Sequence, residues 1–164
     1  MTETADAEPL NNGRYVLVGV DGSPESRNAL RWAAHFAQDL DCAIEAMMAW
    51  QAPMAFEFNM TTVIRDWDPQ HDCEKGLTEI VDDVFGEHRP SRLRLTVVSG
   101  SPARRLVDRA AHAALLVIGS RGHGAFTSVA LGSVSQRCIE HAKCPVLVVK
   151  ADNPPPGHGG VTRG

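Results

Sequence analysis

Read for the spacing of its apolar and polar positions, the chain alternates short hydrophobic runs with amphipathic stretches. Tyr15-Val16-Leu17-Val18-Gly19-Val20 is almost wholly apolar and rich in β-branched residues, which predicts a strand covered on both faces. Asp21-Gly22-Ser23-Pro24 then reads as a turn, with Ser23 as N-cap, Pro24 at the first helical position and Ser26 as a competing cap. Ala29, Leu30, Ala33, Ala34 and Ala37 recur at helical spacing to about Leu40. A second strand is predicted from Ala43 to Trp50, where the order of elements outweighs the helix propensity of Glu45, Ala46, Met47 and Met48. Residues 51–68 show no clean period and predict a long loop of the kind that often covers a site. A polar helix from about Asp68 to Glu87 follows, with Leu77, Ile80, Val81 and Val84 on one face.

The second half repeats the alternation. Leu93 to Val98 predicts a third strand, broken by Gly100-Ser101-Pro102, which caps a helix running to about His112. Leu115-Leu116-Val117-Ile118 is a fourth buried strand, and Pro145 to Val149 a fifth. Between them lie a glycine-rich stretch and a helix from Ser133 to His141. Five apolar strands alternating with four helices predict a parallel, doubly wound sheet with right-handed crossovers. In such sheets ligands sit beyond the carboxyl ends of the strands, where the strand order reverses. The loops after the first and fourth strands are therefore the first candidates for chemistry.

Composition narrows the classes. The 164 residues argue for one domain, with residues 1–12 and 151–164 expected as disordered tails around a domain of 13–150. A net charge of −4 gives no general attraction to nucleic acid or an anionic membrane. No apolar run reaches the roughly 20 residues of a membrane span, and Met1 to Asn12 show no basic, apolar signal pattern. A cytoplasmic protein is expected, in keeping with four scattered cysteines that make no disulfide framework. Cys138, His141 and Cys144 are three apart but lack a fourth ligand, so buried thiols are expected rather than a metal. Arg104, Arg105 and Arg109 suggest a solvated helix face before they suggest a phosphate site.

After the fourth strand the chain reads Gly119-Ser120-Arg121-Gly122-His123-Gly124, and then reaches Gly132-Ser133 at the start of the last helix. Glycines allow backbone amides to turn toward an anion without a Cβ in the way. A helix start adds unpaired amides and a positive dipole end. Ser133 and Ser135 add hydroxyls, and Arg121 and His123 possible positive charge. No lysine follows a glycine run as in a P-loop, the dinucleotide fingerprint fails at Thr127, and there is no Gly-x-Ser-x-Gly elbow. Asp21, at the end of the first strand, is placed to accept from a ribose hydroxyl or to help hold Mg²⁺. As an alternative it serves only an Asx turn.

From about Arg14 to Lys150 these residues resemble the universal stress protein family. Val18-Gly19-Val20-Asp21-Gly22-Ser23 with Ala29-Leu30 and Trp32-Ala33 is similar to the family's first strand and helix, and Ala49-Trp50 to its second-strand end. Val98-x-Gly100-x-Pro102 resembles the turn before its third helix. The ATP-binding pattern of its nucleotide-binding branch, Gly-x2-Gly-x9-Gly-Ser/Thr, is met by Gly119, Gly122, Gly132 and Ser133. Glycine is 14 of 164 residues, and such a set of offsets arises by chance about 0.01 times in a chain this long.

The resemblance implies a Rossmann-like open sheet in the order 3-2-1-4-5. It implies ATP, with Mg²⁺: Asp21 on the ribose or metal side, and the main chain at Val20 and Ala49 bordering adenine. Gly119, Arg121 and Gly122 would meet ribose and phosphates, and Gly132, Ser133, Val134 and Ser135 would cradle the phosphate tail. It also implies a homodimer through the fifth strand, near Val146 to Val149. Many relatives carry an acidic residue where Ala114 stands. No general base is paired with a nucleophile near these loops, so a nucleotide-dependent sensor is expected ahead of a slow ATPase or nucleotide-transferring enzyme. A scaffold without nucleotide would leave the glycine pattern unexplained.

Overall fold

The computed structural model describes residues 14–52, 67–122 and 130–157. The strands are β1 (Tyr15–Gly19), β2 (Ala43–Trp50), β3 (Leu93–Ser99), β4 (Leu115–Gly119) and β5 (Val146–Val149). The helices are α1 (Pro24–Asp39), α2 (Pro69–Phe85), α3 (Pro102–Ala110) and α4 (Ser133–His141), with a 3-10 turn at Gly86–His88. The strands form one sheet in the order β3-β2-β1-β4-β5, as expected, and every pairing is parallel. Each parallel pair needs a crossover, and the intervening helices supply it.

Why β1 reads as unbroken hydrophobicity is clear from its two faces. Val16, Val18 and Val20 pack with Ala29, Leu30, Ala33 and Ala37 of α1 and with Leu77, Ile80 and Val81 of α2. Tyr15 and Leu17 point the other way, into a second core with Leu106 and Ala110 of α3 and Cys138 of α4. The chain enters α1 through Ser23, whose Oγ accepts from the Ser26 amide at 3.2 Å. Ser26 is thus not the cap; its own hydroxyl donates to the Ser23 carbonyl at 3.1 Å.

β2 forms a strand over all eight expected residues, because pairing on both sides outweighs its local helix propensity. That pairing buries Glu45 completely. Its carboxylate accepts from Arg109 Nε at 2.9 Å and Thr96 Oγ1 at 2.8 Å, with Arg94 Nη2 at 3.7 Å. The hydrogen bond to Glu45 holds the Arg109 guanidinium still more firmly protonated. Tyr15 completes the cluster, donating its hydroxyl to the Arg109 carbonyl at 2.8 Å. Arg104 faces Asp108 instead, and Arg105 donates to the Ser99 carbonyl, so the three arginines do not converge on one anion.

The segment after β5 corrects one expectation. Residues 151–157 are not a loose tail: Asn28 Nδ2 donates to the Lys150 and Asn153 carbonyls at 2.6 and 2.8 Å, and Trp32 Nε1 to Asn153 at 2.7 Å. Pro155 is fully buried. Prolines bring no N–H that must be satisfied, so a Pro-rich run can lie on α1 once its carbonyls are met. The rest of that expected tail, the N-terminal tail and most of the expected 51–68 loop lie outside the described residues. No described helix is long and apolar enough to cross a membrane.

Candidate functional site

The strand order reverses between β1 and β4, and a cavity of about 490 Å³ opens at their carboxyl ends. That volume falls within the range of small-molecule sites. Its lining contains all ten residues singled out from the sequence: Val20, Asp21, Ala49, Gly119, Arg121, Gly122, Gly132, Ser133, Val134 and Ser135. Residues that sequence reasoning did not nominate complete the wall, chiefly the apolar Met47, Leu106, Ile118 and Leu131. Met47 and Ala49 alternate on one face of β2, and that period was the available signal for Met47.

Close packing opens this space. A Cβ on Gly119 would stand 2.6 Å from Glu25 Cβ and 3.1 Å from its backbone carbon, so α1 can rest on β4 only because Gly119 has none. A Cβ on Gly122 would stand 2.8 Å from Asp21 Oδ2, so glycine there lets the backbone and that carboxylate approach each other. Gly132 differs. Its Cβ would meet nothing nearer than 3.4 Å, and its φ of −74° suits any residue.

Gly132 is the N-cap of α4, and no side chain caps that helix. Its own amide donates to the Ser120 carbonyl at 2.8 Å, and Gln136 makes the first intrahelical bond to Gly132. The amides of Ser133, Val134 and Ser135 lack an intrahelical acceptor by the geometry of a helix start. Among the described residues none of them bonds elsewhere. All three residues line the cavity.

The side chains divide their work unevenly. Asp21 is anchored through Oδ1, which accepts from the Ser23 amide at 3.0 Å and the Ser23 hydroxyl at 2.5 Å, so the Asx-turn role is present. Its residue is nonetheless exposed at the cavity. Ser133 is exposed, whereas the Ser135 hydroxyl donates to the Gly119 carbonyl at 2.6 Å. Ser135 therefore ties α4 to β4 through its hydroxyl, while its amide has no intrahelical acceptor. The Val20 amide is likewise committed, to the Met47 carbonyl at 2.8 Å. Arg121 Nη2 lies 3.3 Å from Glu25 Oε1. His123 lies outside the described residues.

The cysteines form no part of this site. Cys42 and Cys138 are buried free thiols, and burial, with Cys144 adding to it, pushes the Cys138 thiol up to about 11. Among the described residues no group of three His, Cys, Asp or Glu side chains is gathered as a metal set.

Comparison with known proteins agrees with this architecture. The model of the universal stress protein family matches residues 14–150. A universal stress protein of Mycolicibacterium smegmatis is 35% identical over 144 residues, which are 84% of this chain and 48% of that protein. The chain spans about half the length of the curated relatives it matches. Among solved structures, universal stress protein UspA from Lactobacillus plantarum superposes with a TM-score of 0.67 at 22% identity, over 83% of this chain and 97% of that one. The universal stress protein from Archaeoglobus fulgidus, solved in complex with dAMP, gives 0.61 at 20% identity, over 84% and 98%. With its family model matched across nearly all the described residues, the chain belongs to the universal stress protein family.

Proposed function

We propose that this chain binds an adenine nucleotide, ATP with Mg²⁺, in the switch-point cavity, and that bound nucleotide makes it a regulator in a cytoplasmic stress response. The observation that carries this reading is the uncapped start of α4 lining a cavity rimmed by Gly119, Gly122 and Gly132. Three amides and a helix dipole end suit a phosphate. Met47, Leu106 and Ile118 supply apolar wall for a base, and an A. fulgidus relative of the same fold was solved with dAMP. The exposed, anchored Asp21 carboxylate is of the right chemistry for Mg²⁺, which supplies charge neutralisation to a polyphosphate. A homodimer through β5 belongs to the same reading: among the described residues β5 pairs only with β4, which leaves its other edge for a partner.

The test is direct. Purified protein is heated, the released small molecules are identified, and binding of added ATP–Mg²⁺ is measured by equilibrium dialysis alongside the rate of ATP loss. Retained or bound nucleotide with negligible turnover supports the regulator. Sustained hydrolysis that Asp21→Ala abolishes favours the slow ATPase or nucleotide-transferring alternative. Absence of any binding rejects the nucleotide site.

A further inference from the structure

Glu25 is the acidic residue that the site's geometry makes unusual. It lies in the first turn of α1, is 8% exposed, and does not itself line the cavity. It sits behind Gly119, near enough that a Cβ there would overlap its own, and its Oε1 is 3.3 Å from Arg121 Nη2. Arg121 is the one lysine or arginine among the described lining residues, and Asp21 the one acid.

Together these three side chains leave one negative charge in excess. The α4 dipole end contributes roughly +0.5 of a charge. A site that recruited uncomplexed triphosphate by charge would need positive charge well in excess of this.

We propose that Glu25 is a specificity-determining residue. By sharing the Arg121 guanidinium, it biases the site against uncomplexed polyphosphates and toward adenine nucleotides whose phosphate charge is low or offset by a divalent cation. The inference rests on the nucleotide reading above and adds the charge state of the ligand to it. Glu25 acts through Arg121 rather than by contact: its carboxylate draws on the guanidinium's charge, and a like charge near a developing anion site is unfavourable to each further phosphate.

The experiment measures dissociation constants for AMP, for ATP in EDTA and for ATP with excess Mg²⁺, in the parent protein and in Glu25→Gln. The parent is expected to bind ATP in EDTA on the order of tenfold more weakly than ATP–Mg²⁺. Glu25→Gln is expected to tighten ATP in EDTA several-fold, change AMP least, and so narrow both gaps. A uniform loss for all three ligands, or an unchanged ratio of ATP in EDTA to AMP, would overturn the role assigned to Glu25. Should the variant fold poorly, the parent's own ratio still decides, because equal affinity with and without Mg²⁺ overturns the inference alone. A parent that binds none of the three overturns the nucleotide reading, and this inference with it.

Discussion

Gly119 and Gly132 belong to one motif, yet the structure gives them different duties, and alanine at each separates packing from binding. In Gly119→Ala the new methyl would stand 2.6 Å from Glu25 Cβ, 3.1 Å from the Glu25 backbone carbon and 3.2 Å from the Arg121 carbonyl oxygen. Carbon atoms pack at about 3.5–4.0 Å, so the first turn of α1 must retreat by about 1 Å. That turn has little freedom: Ser23 caps it, and Leu30 and Ala33 are fully buried below it. Overpacking of this kind costs about 1–3 kcal/mol. Taking about 2 kcal/mol, the melting temperature falls by about 4–8 °C for a domain of this size. In Gly132→Ala the nearest neighbours, Gly122 N at 3.4 Å and Arg121 Cα at 3.5 Å, are at the edge of ordinary contact. Alanine is a poorer N-cap than glycine, but it also restricts the unfolded chain, and the two effects nearly offset within about 0.5 kcal/mol. Thermal melts by circular dichroism give the stabilities, and titration with ATP–Mg²⁺ gives the affinities. Gly132→Ala is expected to melt close to the parent yet bind nucleotide on the order of tenfold more weakly, as its methyl stands against the Arg121–Gly122 backbone at the rim a phosphate would have to approach. If Gly119→Ala melts with the parent while Gly132→Ala loses stability, the close-approach argument is wrong.

Two further outcomes follow from the buried polar groups. Glu45→Gln leaves Arg109 and Arg94 without their carboxylate, but their side chains keep 37% and 21% exposure, so the loss is expected at or just below the roughly 3–5 kcal/mol of a broken buried pair, about 2–3 kcal/mol. In urea unfolding, the Glu45→Gln, Arg109→Met double variant should lose about 1 kcal/mol less than the two single losses combined; strict additivity would show that the pair is not coupled. The Cys138 thiol gives an alkaline effect. Below its ordinary value of 9.0 it is protonated in both states and stability is complete; from there to about 11 only the unfolded chain ionises, so stability declines as pH rises, by at most roughly 3 kcal/mol for this group. Urea midpoints from neutral pH to about 10.5 should therefore fall more steeply in the parent than in Cys138→Ala, and parallel curves would remove the thiol from the account.

What could be read from the sequence, and what could not, divides on whether a signal is local. The run Tyr15 to Val20, the Ser23-Pro24 helix start and the glycine offsets each carry their meaning within a few neighbours, and β1, α1 and the cavity rim follow them. Glu45 argued against a strand at the one place where only distant partners, Thr96 and Arg109, make a buried carboxylate tolerable. The run Pro154-Pro155-Pro156 has the composition of a tail, and nothing near it announces that Asn28 and Trp32, more than a hundred residues earlier, will hold the backbone beside it. Ser135 shows the limit most sharply. Its type and position suggested a hydroxyl for phosphate, but direction is set by the nearest buried acceptor, and the Gly119 carbonyl lies 2.6 Å away. An unmet carbonyl inside the protein costs about 1–3 kcal/mol, whereas a phosphate can be met by the backbone amides alone. The hydroxyl therefore goes to the fold and only the amide is left without an intrahelical acceptor, a partition that only the three-dimensional arrangement of β4 and α4 decides.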